Sequence, residues 1–301
     1  MHSDSSSPRS TRRSPAEFLR AFRELTKPAA VPLVRPSDPH LLFRTTRDQR
    51  GRPLPLRMDV YRGLAGERSD GLSCLLIHGG SFVLGDRAMT ACRFLATHLV
   101  RRGVTVASAD YRLAQQGGVL PRPVRDVKAA MQYWAANASR FDADPERVVI
   151  VGLSAGAALS LLALGWPDEH PFVQVPGGRP LTTPRPFRVA SVYGVSEFTS
   201  FRRGITPWLR RWVTGTKDPE KWRSLSPVAW CDFDAPLFQI HGDADRVVPV
   251  EQTHAMDAAR RAAGKPVETH IYPGVDHAFF SYPGCAAAER GLADLLGFVL
   301  A

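Results

Sequence analysis

One segment predicts a strand, a tight turn and a helix in direct succession: Val148-Val149-Ile150-Val151-Gly152-Leu153-Ser154-Ala155-Gly156-Ala157-Ala158-Leu159. Its four leading β-branched residues favour a buried strand, and the Ala- and Leu-rich residues at its end favour a helix. Between them, the pattern Gly-x-Ser-x-Gly is typical of a strained turn that exposes a nucleophilic serine, here Ser154. A side chain in place of either glycine would collide with the neighbouring strand or helix. The alternative interpretation is an ordinary turn between a strand and a helix.

Strands and helices are predicted to alternate along most of the chain. Residues 41–46 and 56–61 read as two strands joined by a polar turn at residues 48–51, which predicts an N-terminal β-hairpin. The alternation that follows predicts an α/β fold, a mostly parallel, doubly wound sheet with helices on both faces. We expect its strands at residues 72–77, 104–109, 148–151, 189–193, 236–240 and 267–272, and further helices at residues 89–102, 121–138, 251–263 and 286–300.

The chain of 301 residues is long enough for one large α/β domain, which we expect over residues 37–301. Residues 1–36 are expected to form a disordered tail plus a short helix, because residues 1–13 are rich in Ser, Arg and Pro. That tail also fits a mitochondrial transit peptide. The helix, predicted from Ser14 to about Lys27, either packs on the domain surface or forms part of a lid. The irregular, aromatic residues 198–230 are expected to be an inserted cap.

Composition and charge narrow the class of protein. The net charge is +10, yet only five of the 39 basic residues are lysines and the arginines are spread along the whole chain, which indicates a compositional bias. Nucleic-acid binding would need clustered basic residues on a known module, and none is recognisable. No apolar run reaches the length of a membrane span or resembles a secretory signal. Four cysteines without metal spacing suggest a reduced, cytoplasmic protein, and we expect no metal and no organic cofactor.

Three residues along the chain have the chemistry of a catalytic triad. Ser154, Asp245 and His277 occur in the order nucleophile, acid, base, and each follows the end of a predicted strand. The carboxyl ends of parallel strands lie on one edge of a sheet, so these side chains are expected to meet there. A serine hydroxyl needs a histidine to take its proton, and that histidine needs a carboxylate to fix its tautomer.

The chain resembles the esterase/lipase group of α/β-hydrolases, which includes hormone-sensitive-lipase-like esterases, acetyl esterases and arylformamidases. The resemblance covers about residues 40–300 and implies the α/β-hydrolase fold, with its N-terminal hairpin and an inserted cap. It is carried by the motifs His78-Gly79-Gly80-Ser81, Asp110-Tyr111-Arg112-Leu113, Gly152-Leu153-Ser154-Ala155-Gly156, Ser226-Pro227-Val228, His241-Gly242-Asp243-Ala244-Asp245-Arg246-Val247-Val248-Pro249 and Tyr272-Pro273-Gly274-Val275-Asp276-His277-Ala278-Phe279.

The resemblance also implies an oxyanion hole. The His-Gly-Gly loop of the family supplies backbone donors, which are carried over here to the N–H groups of Gly80 and Ser81, joined by that of Ala155. The family often has a third glycine where this chain has Ser81. The serine keeps the backbone donor but narrows or polarises the pocket, which disfavours bulky tertiary substrates. His78 is expected to organise the loop, because the catalytic histidine of the family is the late one.

Three aspartates compete for the role of the acid. The family places it in His-Gly-x-x-Asp-x-x-Val-Pro, which selects Asp245. Asp243 is expected to hold the turn by hydrogen bonds to the backbone. Asp276 is adjacent to His277, and neighbouring side chains rarely face each other.

The predicted cap carries two tryptophans on one helical face. The helix is expected to begin at Thr206-Pro207, which places Trp208 and Trp212 one turn apart. They either pack on the core as an amphipathic lid or line an acyl or aromatic pocket. In the second case, cap arginines would attract anionic substrates at its mouth. Those arginines are Arg202, Arg203, Arg210 and Arg211, and the further candidates for contact with substrate are Phe82 and Phe279.

Together these features predict a serine hydrolase that acts on a small-molecule ester. It would cleave carboxylic esters of small to medium acyl or aryl groups through an acyl-enzyme. Two alternatives remain open from sequence: an amide, formamide or thioester hydrolase or acyltransferase of a biosynthetic pathway, and a non-hydrolytic binder or cyclase on the same fold.

Overall fold

A computed structural model describes residues 32–66, 70–174, 180–182, 184–200 and 207–301 of the chain. The expectations for the tail and its helix at residues 1–31 lie outside the described residues, as do those for Arg202 and Arg203. None of the described helices combines the length and the apolarity of a membrane-spanning segment.

The described residues form one eight-stranded sheet. Its strand order is β1-β2-β4-β3-β5-β6-β7-β8. Strand β2 pairs antiparallel with both of its neighbours, β1 and β4, and the six strands β3 to β8 are mutually parallel. This is the α/β-hydrolase fold, so the predicted fold class and the N-terminal hairpin are confirmed. The strands are β1 (Asp38–Arg47), β2 (Pro53–Tyr61), β3 (Ser73–Ile77), β4 (Thr105–Ala109), β5 (Val148–Leu153), β6 (Arg188–Val192), β7 (Leu237–Gly242) and β8 (Val267–Tyr272).

Helices cover both faces of the sheet, and each face has its own buried core. Phe94 lies in the core of one face and Trp134 in the core of the other, and both are completely buried. Burying both faces explains why the central strands are apolar along their whole length. The described α-helices are α1 (Thr90–Val100), α2 (Arg122–Asn137), α3 (Ala155–Gly165), α4 (Pro207–Thr214), α5 (Pro219–Ser224), α6 (Glu251–Ala262) and α7 (Ala286–Leu300).

The parallel strands bring four loops to one edge of the sheet. Ile77 of β3 pairs with Gly152 of β5, and Gly242 of β7 pairs with Tyr272 of β8, so these strands end at similar heights. The loops that follow β3, β5, β7 and β8 therefore meet at their carboxyl ends, where sites form in open α/β sheets.

The cap between β6 and β7 is more regular than its sequence predicts. We expected one helix, beginning at Thr206-Pro207, in an otherwise irregular segment. The described part contains α4, α5 and a 3₁₀ turn at Pro227–Trp230. Helix α5 was missed because it has six residues, none of them buried, and so lacks apolar periodicity. Its start signal was present, since Asp218 caps the N–H of Glu220 at 3.0 Å and a proline follows at the first helical position.

Candidate active site

Ser154 occupies a strained turn between β5 and α3. Its backbone angles, φ 52° and ψ −114°, lie in a region that a non-glycine residue rarely adopts. A Cβ at Gly152 would lie 2.4 Å from Cα of Ala157, and one at Gly156 would lie 2.2 Å from the carbonyl oxygen of Ile77. Two glycines are therefore required for the turn to close and for α3 to pack against the end of β3.

The loop after β3 lies beside this serine. The Cα of Gly79 faces the nucleophile so closely that an added Cβ would lie 3.3 Å from Cβ of Ser154. In the described part of the chain, the backbone N–H groups of Gly80, Ser81 and Ala155 have no hydrogen-bond acceptor. Free donors next to a nucleophile are what an oxyanion hole requires.

Two buried aromatic side chains hold that loop. The imidazole of His78 stacks on the ring of Tyr111 with centroids 4.2 Å apart, and its Nδ1 lies 2.7 Å from the carbonyl oxygen of Gly79. The Tyr111 hydroxyl donates to the carbonyl oxygen of His78 at 3.1 Å. Burial lowers the pKa of His78, which favours the neutral ring. His78 thus organises the loop by its contacts.

The structure brings Ser154, His277 and Asp245 into one hydrogen-bonded chain. Nε2 of His277 lies 3.0 Å from Oγ of Ser154, and Nδ1 of His277 lies 2.6 Å from Oδ2 of Asp245. The Asp245 side chain is fully buried and that of His277 is 10% exposed. A serine hydroxyl in this arrangement can pass its proton to the imidazole, because the far nitrogen donates to the carboxylate.

Asp245 is buried and nevertheless ionised. Burial opposes the charge, but the nearby His277 and hydrogen bonds from His241 and His277 hold the pKa of the Asp245 carboxyl well below its usual value. The backbone N–H groups of Val247 and Val248 add hydrogen bonds of 2.8 and 2.7 Å to its other oxygen, Oδ1. An ionised acid can support a positively charged imidazole during catalysis.

The other two aspartates join the loops that carry the acid and the base. Oδ1 of Asp243 accepts from the N–H of Gly274 at 2.7 Å. Asp276 accepts from Nε of Arg246 at 2.8 Å and, through Oδ1, from the N–H of His277 at 2.8 Å. Both carboxylates thus accept from backbone N–H groups and hold these two loops together.

Tyr193 contacts the histidine, and sequence analysis did not find it. Its ring meets the His277 imidazole edge-on at 4.9 Å between centroids, directly after β6. The residue is buried and has a φ of 41°, another strained position beside the serine. Its sequence context carries no signal for this role.

The residues predicted to contact substrate differ in their exposure: Phe82 and Phe279 are buried, and Trp212 is partly exposed. Phe82 follows the loop after β3, is 2% exposed and packs 6.2 Å from Phe198. Phe279 is buried, its ring meets that of Tyr193 edge-on, and it packs on α7, so it is a core residue. Trp212 on α4 is 39% exposed, so its side chain is only partly covered by the rest of the protein.

Trp208 and Arg210 both belong to the cap helix α4. The side chain of Trp208 lies outside the described residues. The Arg210 guanidinium stacks 3.6 Å from the centre of the Trp222 ring and donates to the carbonyl oxygen of Phe198. It therefore holds the cap together.

No cluster of three His, Cys, Asp or Glu side chains suited to a metal occurs within the ranges that the structure describes.

The profile of the BD-FAE family matches residues 58–259, a span that contains the serine and the acid. The chain belongs to the BD-FAE family. A profile of the dienelactone hydrolase family matches residues 228–298 of this BD-FAE member, which include His277. The predicted resemblance to the esterase/lipase group of α/β-hydrolases is thus confirmed.

Known proteins similar to this BD-FAE member include Esterase LipC of Mycobacterium tuberculosis, 31% identical over 232 residues that cover 74% of this chain and 56% of that protein. The chain spans about half the length of the curated relatives it matches. Similar structures include a truncated carbohydrate esterase from gut microbiota (TM-score 0.71, 20% identity, 90% and 98% of the two chains). Another is Thermogutta terrifontis esterase 2 phosphonylated by sarin (TM-score 0.71, 20% identity, 88% of this chain and 95% of that one).

Proposed function

We propose that this protein is a serine hydrolase that cleaves carboxylic esters of small to medium acyl or aryl groups through an acyl-enzyme. The observation that carries the proposal is the hydrogen-bonded chain from Oγ of Ser154 through His277 to Asp245, with distances of 3.0 and 2.6 Å. Membership of the BD-FAE family and the similarity to Esterase LipC support it.

In the first half of the reaction, Ser154 attacks the ester carbonyl while Nε2 of His277 takes the hydroxyl proton. The imidazolium that forms is stabilised by the ionised Asp245 at Nδ1. His277 then gives the proton to the leaving alcohol, and the acyl group remains on Ser154. In the second half, a water molecule attacks the acyl carbonyl while His277 takes its proton. His277 then gives that proton to Oγ of Ser154 as the ester bond breaks and the carboxylic acid leaves.

Negative charge that develops on the carbonyl oxygen is received by backbone donors. The N–H groups of Gly80, Ser81 and Ala155, which have no acceptor among the described residues, are the donors of this proposal. Ala155 also begins α3, so the positive end of the helix dipole faces the same oxygen. A single donor of this kind contributes about 3–4 kcal/mol to the transition state of acyl transfer.

The aromatic pair next to these donors bears on substrate size. Phe82 directly follows Ser81, and its buried ring packs on Phe198. We propose that these two rings form an apolar wall of the acyl site, which favours a compact acyl or aryl group over a long chain. Trp212, which is partly exposed on α4, remains a candidate contact for the substrate. The sequence makes Trp208 a second candidate for the same contact.

The proposal is tested by covalent labelling together with a panel of esters. The wild-type protein should gain one fluorophosphonate adduct in intact mass, located at Ser154, and Ser154→Ala should gain none. The kcat/KM for p-nitrophenyl butyrate should exceed that for the palmitate ester by at least about tenfold. If the wild type is not labelled and hydrolyses none of these esters, the proposal is wrong. If it turns over N-formyl anilines or acyl thioesters instead, the serine chemistry stands and the ester substrate class is wrong.

A further inference from the structure

A second histidine contacts the carboxylate of Asp245. His241 lies near the end of β7, four residues before the acid, and its side chain is completely buried. Its Nε2 lies 3.0 Å from Oδ2 of Asp245 and 2.9 Å from the carbonyl oxygen of Val248. On the other side of the ring, Nδ1 lies 2.7 Å from Oγ1 of Thr253 on α6.

These contacts assign the proton of the ring. Nε2 faces two oxygens that can only accept, the Asp245 carboxylate and the Val248 carbonyl, so Nε2 carries the hydrogen. The hydroxyl of Thr253 can donate, and it satisfies Nδ1. His241 is therefore held from both sides and directs the N–H of Nε2 at the acid.

The donor completes the hydrogen bonding of the carboxylate. Oδ1 of Asp245 accepts from the N–H groups of Val247 and Val248, and Oδ2 accepts from His277 and His241. Four donors fill the four acceptor positions of an ionised carboxylate. Two donors on each oxygen fix the plane of the carboxylate, so Oδ2 points at Nδ1 of His277 without freedom to rotate.

The geometry points to His241 as a positioning residue that holds Asp245 ionised and aligned with His277. This role depends on the serine-hydrolase function proposed above. The physical reason is the burial of Asp245: an oxygen that loses one of its donors there cannot recover it from bulk water. Without His241, the carboxylate would hold the imidazole less firmly in the tautomer that accepts the Ser154 proton.

Substitutions of different length separate this role from simple packing. The Nε2 amide of His241→Gln is the same number of bonds from Cβ as Nε2 of histidine, and its oxygen can accept from Thr253. His241→Asn remains polar but is one bond too short to reach Asp245. Gln239→Asn is the matched control, because Gln239 is fully buried on the same face of β7, contacts Thr253 and Thr269, and does not touch Asp245.

The kinetics of p-nitrophenyl butyrate hydrolysis test the inference. We expect His241→Asn to lower kcat about 10- to 100-fold, with KM changed by less than about twofold. The rate of fluorophosphonate labelling should fall in parallel, because it reports activation of Ser154 directly. His241→Gln should recover most of the loss, and Gln239→Asn should keep the wild-type kcat although its melting temperature falls.

Thr253→Val provides a second perturbation if His241→Asn does not fold. It leaves His241 in place but removes the hydroxyl that fixes the tautomer of the ring, so kcat should fall severalfold. The inference is overturned if His241→Asn retains the wild-type kcat. If His241→Asn does not fold, the inference is overturned when Thr253→Val retains the wild-type kcat. It is also overturned if Gln239→Asn loses as much, since packing alone would then explain the effect. A wild type without labelling or turnover would refute the proposed function instead.

Discussion

Replacing Asp245 by asparagine should abolish most of the activity and leave the fold intact. The carboxylate accepts four hydrogen bonds, two at each oxygen, whereas an asparagine side chain accepts at one atom and donates from the other. One pair of donors must therefore face the new NH₂ group. If that pair is His277 and His241, the His277 ring is driven to the tautomer with a hydrogen on Nε2, which cannot take a proton from Ser154.

The size of the effect follows from the lost tautomer. In serine proteases the same change costs about 10⁴-fold in turnover, which corresponds to about 5 kcal/mol. We expect a loss of that order in kcat for p-nitrophenyl butyrate. Because both side chains have nearly the same volume, the far-ultraviolet circular dichroism spectrum should not change.

Asp243→Asn is the matched control for Asp245→Asn. Asp243 is exposed and accepts one hydrogen bond, from the N–H of Gly274, which an asparagine oxygen can still accept. Its turnover should stay within about threefold of the wild type, with at most a small change in melting temperature. An active Asp245→Asn beside an inactive Asp243→Asn would refute the assignment of the acid.

Three further predictions concern stability. The pKa of Asp245 in the folded protein lies well below 3.8, its usual value, so its charge stabilises the fold above about pH 4 and this contribution is lost as the pH falls towards the native pKa. Urea unfolding should therefore show the stability difference between the wild type and Asp245→Asn shrinking below about pH 4. Gly156→Ala should yield little folded protein, since the added Cβ would lie 2.2 Å from a carbonyl oxygen. A Cβ added at Gly297 in α7 would meet no atom within 4 Å, so Gly297→Ala should raise the free energy of unfolding by about 0.5–1 kcal/mol. Arg260 is buried and donates to four backbone carbonyls, so Arg260→Lys should cost about 2 kcal/mol or more in urea unfolding, with kcat/KM unchanged. The matched control Arg261→Lys, on the exposed face of the same helix, should leave the unfolding curve nearly unchanged.

Local patterns predicted the elements of the fold with small errors at their ends. The strand Val267–Tyr272 and the helix Ala286–Leu300 have the predicted bounds, because apolar periodicity and flanking turn residues act over a few neighbours. The strand that leads to Ser154 extends two residues further than predicted, to Leu153. Helix α5 was missed, since six residues of which none is fully buried carry no apolar period.

The sequence by itself determined which side chains could form a triad and where the chain had to turn. Gly152, Ser154 and Gly156 define the elbow through local sterics, and the order of Ser154, Asp245 and His277 suits a parallel sheet because each follows a strand.

Only the tertiary structure decided what surrounds that triad. The contact of Tyr193 with His277, the hydrogen bond from His241 to Asp245 and the stacking of Arg210 on Trp222 join separate elements or depend on how a loop closes. Their spacing in the chain carries no signal for these contacts. They arise when packed helices and strands fix the distance and orientation of each side chain, and burial then makes each missing hydrogen bond costly.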